Sequence, residues 1–440
     1  MRSLARTAPA PPVRIVHLGL GAFSRSHTAW YTAHAGDAAE WGIAAYTGSS
    51  TALVDALAPQ DGVYTLVSRS ADGDRDEQIE SIVRVHPGND LASLVADIAA
   101  RDTVIVTLTI TEAGYRAGRD DLPDLDDPLV RSDRAALATL TDVEDLAQVD
   151  VGTAIGRLVL GLEARRRGGG GPLAIVSCDN LPDNGGLLRT GLLALADVAP
   201  DTAAWCAVNV SFVSSSVDRI TPRVEPEELA ALKLRLHDDA PVIAEPFTDW
   251  VLSGAFPAGR PRWEDAGARF TEELEPWEAR KLWLLNGAHT ILAAAGPLRG
   301  KATVAEAILD PLCRRAVEAF WDEAQRHLPT SLEVSRYRAS LLERFENPRI
   351  VHRLSQIALG SSTKMRLRII PVARLERAAV RPAAACAFAV AAWIAAQPGY
   401  GSERHPRELL STIAPDLAQD DGFAALVAET LRELASLTLA

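Results

Sequence analysis

Arg14-Ile-Val-His-Leu18 is a short apolar run that feeds directly into Gly19-Leu-Gly21-Ala22-Phe23 and then into a helical stretch through Trp30 and Tyr31. A buried strand, a Gly-x-Gly turn and a helix, in that order, leave few folds open. Glycine lets the backbone approach a pyrophosphate, which then lies against the N-terminus of the following helix. The opening is therefore that of a dinucleotide-binding α/β domain, with Gly19, Gly21, Ala22 and Phe23 at the turn. Ser24 stands where the usual pattern carries a third glycine.

The strands that follow suit a sheet covered on both faces. Gly42–Tyr46 is the next one and ends in Thr47-Gly-Ser-Ser50. A carboxylate is expected there to hold the ribose 2′-hydroxyl of NAD. This stretch has no carboxylate and no Arg or Lys, which leaves the choice between NAD and NADP open here; NAD is taken as the expected cofactor. Strands are expected at 63–68 and 81–85. Residues 102–109 read as a buried strand around the apolar Val104-Ile-Val106 and end in Thr109-Ile-Thr-Glu112-Ala-Gly114-Tyr115, a polar turn at the carboxyl edge where open α/β sheets bind ligands. Residues 120–127 read as an acidic loop, 151–165 as a helix and 165–171 as a flexible Arg/Gly connector. Leu173–Ser177 is another buried strand, opening into Cys178-Asp179-Asn180-Leu-Pro182-Asp-Asn184-Gly185. Asn180 follows the strand directly and is a site candidate, whereas Asn184-Gly185 reads as turn chemistry. A strand at 208–213 leads to Asp218-Arg219.

Beyond about residue 270 the pattern turns helical, with expected helices near 276–295, 303–327, 331–345, 348–358, 378–396, 405–413 and 422–438. The exception is Gly360-Ser-Ser-Thr-Lys364-Met-Arg366-Leu-Arg368, read as a cationic cluster beside a loop, suited to a polyol, a carboxylate or a phosphate. The expected organisation is a flexible tail over 1–12, a dinucleotide-binding domain over 13–270 and a helical substrate domain over 271–440.

Composition excludes several roles. A net charge of −13 argues against a nucleic-acid partner. The four cysteines have no CxxC spacing and read as reduced thiols of a cytoplasmic protein, neither a disulfide frame nor a metal site. No apolar run reaches the ~18 residues of a membrane helix.

Lys281-Leu-Trp-Leu-Leu-Asn286-Gly-Ala-His289 carries the chemistry. Only four of the 45 basic residues are lysines. Arginine does not release its proton, whereas a desolvated lysine does, so Lys281 in an apolar helix is a candidate general base. At about 100° per residue, Lys281, Asn286 and His289 fall within roughly 140° of one helix face, with Glu278 inside the same arc.

Five motifs stand in one order: Gly19-x-Gly21-x-Phe23-x-Arg25-x-His27, Thr109-x-x-Glu112-x-Gly114-Tyr115, Ser177-Cys-Asp-Asn180-Leu-Pro182, Val217-Asp218-Arg219-Ile-Thr-Pro222 and Lys281-x4-Asn286-x2-His289. Together they resemble the mannitol dehydrogenase family of zinc-independent, polyol-specific long-chain dehydrogenases, over nearly the whole chain. The resemblance implies a Rossmann-type N-terminal domain, a mostly α-helical C-terminal domain, and nicotinamide-dependent interconversion of a sugar alcohol and a ketose of the mannitol/fructose type. It makes Lys281 the base, Asn180 and Asn286 donors to the substrate oxygen, and His289 an orienting group. Glu278 would gate proton exit, and Asp218, Lys364 and Arg368 would surround the substrate. Thr109 and Glu112 would border the cofactor. The alternative within the family is a fructuronate or tagaturonate reductase, with Arg366 or Arg368 on the carboxylate. A more distant one is a non-catalytic NAD(P)-binding sensor.

Overall fold

The computed structural model describes residues 4–48, 50–118, 121–397 and 405–438. Ser49 and Asp120, from two of the loops above, lie outside the described residues, as does the start of the expected tail. The chain divides into two units, Met1–Arg69 with Asp74–Leu274 and Ser70–Gly73 with Glu275–Ala440.

The first unit holds strands β1 (Val13–Leu18), β2 (Gly42–Tyr46), β3 (Tyr64–Arg69), β4 (Asp74–Ile79), β5 (Ile82–His86), β6 (Ile105–Leu108), β7 (Leu173–Ser177), β8 (Val210–Asp218), β9 (Val242–Ala244), β10 (Asp249–Ser253) and β11 (Arg269–Phe270). Eight of them form one sheet in the order β11-β10-β8-β7-β6-β1-β2-β5, and β4-β3-β9 form a smaller one. From β5 to β8 the large sheet is parallel, and β10 pairs antiparallel with β8. Successive side chains of a strand face opposite ways. Val16 and Leu18 accordingly join one core with Val106, Leu108, Leu173 and Ile175, while Ile15 joins the other with Ile43, Ile105, Ala174 and Val176. Burial on both faces is why these strands read as continuous apolar runs.

Because β1 lies between β2 and β6, the strand order reverses there, and such a switch point opens a crevice at the carboxyl ends. Leu18 is level with Tyr46 on one side and Leu108 on the other. Gly19, Thr47 and Thr109 therefore leave the sheet side by side.

Three features depart from the sequence expectations. The expected helix after the glycine turn is two short ones, Ala22–Ser26 and Thr28–Ala33, broken at His27. β4, Asp-Arg-Asp-Glu-Gln-Ile, was not foreseen, because an edge strand carries charges in place of alternating apolar residues. The expected tail is held at one point, where Arg6 donates to the carbonyls of Asp61 (3.2 Å) and Ile82 (2.7 Å).

In the second unit, a helix over Glu275–Arg280 runs into a π-helical turn, Lys281–Gly287, and then into the α-helix Ala288–Leu298. The run expected at 303–327 breaks at Asp310, whose carboxylate accepts from the amides of Leu312 (3.0 Å) and Cys313 (3.2 Å), with Pro311 opening the new helix. Ser361–Arg368 is also a helix, not the expected loop. Gly360, at φ +67°, makes the left-handed turn that lets it start, and no proline interrupts the run before Pro371.

Candidate active site

In the first unit the glycine turn is built from both sides. Gly19 has φ +97°, and any Cβ there would run into the carbonyl of Thr109. Gly21 meets no such wall: the nearest atom to its Cβ position is 3.7 Å away. The first glycine is required by the fold, and the second leaves room for something outside it. Ser24 replaces the third glycine by closing the loop itself. Its hydroxyl accepts from the Gly21 amide at 3.0 Å and donates to the Gly21 carbonyl at 3.3 Å. Arg25 is buried, donates to the Gly21 carbonyl at 3.1 Å and bonds the Ala240 carbonyl, so it holds the loop in place.

Thr109 donates its hydroxyl to the Gly19 carbonyl at 2.8 Å and meets His17 Nε2 at 3.2 Å, while His17 Nδ1 meets the Thr107 hydroxyl at 2.8 Å. The donor order assigns the proton to Nε2. Burial pushes the His17 pKa down to about 4, so the ring is neutral near pH 7. This chain of bonds locks the ends of β1 and β6 together around a cavity of about 230 Å³ lined by Gly19, Thr47, Gly48, Gly88, Thr109 and Arg157.

The loops after β6 and β7 are joined by Asp179. Its buried carboxylate accepts from the amides of Ile110 (3.1 Å) and Thr111 (2.8 Å) and from the Tyr115 hydroxyl (3.0 Å). Burial outweighs these donors and raises its pKa. Thr111 sits at φ +63°, a strained backbone for a β-branched residue, and the bond to Asp179 holds it there. Asn184 is buried and fully engaged with Asp179 and Ser215, as turn chemistry predicts. Asn180 is exposed at the end of the same turn, and Asp218 is buried at the end of β8. Arg219 donates to the Glu245 carbonyl at 3.1 Å and is structural. Glu112 lines a separate cavity of about 660 Å³ with Tyr115, Pro182 and Arg189. Ala22 is exposed, and Phe23 stacks on His27 at 4.9 Å.

In the second unit the π-turn changes the geometry read from the sequence. Its i→i+5 hydrogen bonding brings residues five apart nearly above one another, so Lys281 and Asn286 stand closer on one face than α-helical spacing allows. Side chains hold the wider turn. The indole of Trp321 donates to the Leu284 carbonyl at 2.7 Å. The Asn286 carbonyl accepts from the Thr290 hydroxyl at 2.9 Å and from Arg368 Nη1 at 3.3 Å. Gly287 packs against Phe320, whose ring lies 2.6 Å from where a Cβ would stand.

His289 is buried on the following turn, with Phe345 and His352 each 4.9 Å from it, ring to ring. Lys281 and Glu278 are half-buried. Lys364 donates to the Ile357 carbonyl at 2.7 Å and lines a cavity of about 200 Å³ with Thr290, Ser361 and Trp393. Burial pushes the Arg368 pKa down to about 10 and, together with the Arg368 charge, lowers that of Lys364. Among the described residues, neither cation has a carboxylate partner.

The structure thus groups Gly19 and Thr109 in one cavity, and brings Arg368, from the helix Ser361–Arg368, onto the backbone carbonyl of Asn286. Five further residues were missed: Asp179, Arg157, His17, Trp321 and His352. Asp179 was legible only as part of the Asn-Leu-Pro motif. The others act across elements far apart in sequence, with no local signal. Among the described residues, no cluster of three or more His, Cys, Asp or Glu side chains is placed to hold a metal ion, and no helix is long and apolar enough to cross a membrane.

A glycine cradle at a sheet switch point, in a parallel α/β unit followed by a helical one, is the arrangement of a nicotinamide-dependent dehydrogenase. The residues present fit that cofactor: Gly19 and Gly21 clear the backbone, and a nucleoside-sized cavity adjoins them. Residues 13–265 match the mannitol dehydrogenase Rossmann domain and residues 273–409 the mannitol dehydrogenase C-terminal domain. The chain belongs to the mannitol dehydrogenase family, as its motifs suggested, and is an oxidoreductase of that polyol-dehydrogenase type. It is 36% identical over 377 residues to D-mannonate oxidoreductase of Escherichia coli, covering 82% of this chain and 75% of that one. It is also 36% identical over 384 residues to D-arabinitol 4-dehydrogenase of Ralstonia nicotianae, covering 82% and 78%. The ternary complex of Pseudomonas fluorescens mannitol 2-dehydrogenase with NAD and D-mannitol superposes with a TM-score of 0.76 at 28% identity, covering 98% of this chain and 94% of that one.

Proposed function

We propose that the chain interconverts a secondary alcohol of an open-chain polyol and the matching ketose, with Lys281 as general base. The observation that carries this reading is the π-turn over Lys281–Gly287, whose five-residue repeat supports Lys281 and Asn286 acting from one face. Oxidation removes a proton from oxygen and a hydride from carbon. The bound nicotinamide takes the hydride. A lysine amine kept from full solvation can take the proton. The developing alkoxide needs preorganised donors, and the Asn286 amide and the His289 imidazole supply them, with Asn180 as a second amide by family likeness. Glu278, one turn before Lys281, is assigned the onward proton path. Asp218 is assigned to the substrate hydroxyls.

A second reading, a sugar-acid oxidoreductase, is favoured by Lys364 and Arg368, two partly buried cations with no carboxylate partner among the described residues. The likeness to D-mannonate oxidoreductase points the same way. Consumption of reduced nicotinamide with fructose, fructuronate and tagaturonate in parallel separates the two. Turnover with fructose alone supports the ketose reading. Turnover with a uronate alone moves the protein to sugar acids and assigns Lys364 and Arg368 to the carboxylate. Turnover with none of these or related ketoses, under saturating cofactor, would sink both.

A further inference from the structure

β2 ends without the carboxylate that holds an unmodified ribose 2′-hydroxyl, and nothing basic follows it in sequence. The fold supplies what the local sequence lacks. Arg157, from the first turns of the helix Ala154–Arg167, reaches the cavity lined by Thr47 and Gly48. Its Nη1 lies 3.0 Å from where a Cβ at Gly88 would stand, and the Gly48 carbonyl lies 2.6 Å from the same point. Only a glycine at 88 lets the guanidinium and the end of β2 come this close.

Arg157 is not explained by the protein's own interactions. It is half-buried, its Nε is buried, and among the described residues it has neither a hydrogen-bond acceptor nor an ion-pair partner. Asp133, one of the two acids whose charge reaches Arg157, is already used. Its oxygens accept from the Gly152 amide (2.6 Å), the Thr153 amide (2.9 Å) and the Thr153 hydroxyl (2.5 Å). Burial works against the Arg157 charge, and Asp133 and Asp150 offset it only through space. A helix N-terminus is also the wrong end for a cation. A guanidinium that cannot lose its proton, held in a nucleoside-sized cavity without a partner, is suited to an incoming anion.

We propose that Arg157 binds the 2′-phosphate of NADP(H), so that this chain accepts the phosphorylated coenzyme as well as NAD(H). The inference rests on the cavity being the adenosine-ribose end of a dinucleotide site. The test is equilibrium titration of the full-length protein with NAD⁺, NADP⁺ and 2′-AMP, for the wild type, Arg157→Leu and Arg157→Lys. The expected result is an NADP⁺ Kd within about tenfold of that for NAD⁺, and 2′-AMP binding. Arg157→Leu weakens NADP⁺ and 2′-AMP by about 10- to 100-fold, the worth of one charge-assisted phosphate bond, while NAD⁺ changes little. Arg157→Lys recovers part of the loss. Retained NAD⁺ affinity shows that the variants fold. Equal weakening of NAD⁺ and NADP⁺ would instead place Arg157 on the adenine or the shared phosphates and overturn the proposal. So would NAD⁺ binding with no NADP⁺ binding in the wild type. Binding of neither nucleotide would remove the dinucleotide reading itself.

Discussion

Asn286 shows how much one residue carries in this site. Its carbonyl is fixed by Thr290 and Arg368, which leaves the amide aimed by a rigid backbone. Asn286→Ala is expected to lower kcat by about 10²- to 10³-fold, the cost of removing one preorganised donor, with cofactor affinity unchanged. Steady-state kinetics with a parallel nucleotide titration checks this, and a loss confined to KM would assign Asn286 to ground-state binding instead. At the other unit, Gly19→Ala forces a side chain into the Thr109 carbonyl at a positive φ. It should abolish nucleotide binding and lower thermal stability together, whereas a Gly21→Ala protein should stay folded and lose binding alone. The glycines were legible because turns need them. Arg157 was not, because it enters the cavity from a helix distant in the sequence, and Asp179 showed only as a member of its motif, because its partners belong to another loop.

At the scale of the element, the π-turn is held from outside. Trp321 satisfies the Leu284 carbonyl, and Phe320 closes on Gly287. Trp321→Phe keeps most of the packing and leaves one buried carbonyl without its donor, which costs about 1–3 kcal/mol. If the turn positions Lys281, kcat should fall well beyond what that stability loss explains, while the nucleotide Kd stays put. Unchanged kcat in a destabilised protein would reduce Trp321 to a packing residue. The helix itself was legible from its apolar run. Its π register was not, because hydrophobic spacing assumes one constant angle per residue and tertiary donors set this one. The central strands were equally plain, being continuous apolar runs, while charged β4 and two-residue β11 gave no periodicity to read. The helix at Ser361–Arg368 was hidden by its Gly-Ser-Ser start.

For the whole molecule, acid resistance should trace to few groups. Glu376 is buried in the second unit and receives bonds from Arg326, His327 (2.6 Å) and Arg381 (3.0 Å). Burial raises its pKa, but these donors win and hold it at about 2, against an ordinary 4.5. A depressed acid contributes stability that is complete above pH 4.5 and is lost as pH falls toward 2, here about 3 kcal/mol. Glu376→Gln should cost about 3 kcal/mol near neutrality, the contribution of the ionised carboxylate, and should flatten the acid limb of the unfolding profile. Denaturant titrations between pH 7 and pH 3 measure both, and an unaltered acid limb would show that other carboxylates control it.

The proposed chemistry turns on Lys281 moving the proton. The most direct measurement is polyol oxidation by Lys281→Met under saturating cofactor, across pH, beside a nucleotide titration of the same protein. Turnover should fall by about 10²- to 10⁴-fold, nucleotide affinity should stay within a factor of about two of wild type, and the rise in wild-type rate with pH that deprotonation of the amine produces should be lost. Turnover near that of the wild type, with the same pH profile, would contradict that role and assign the base to another group.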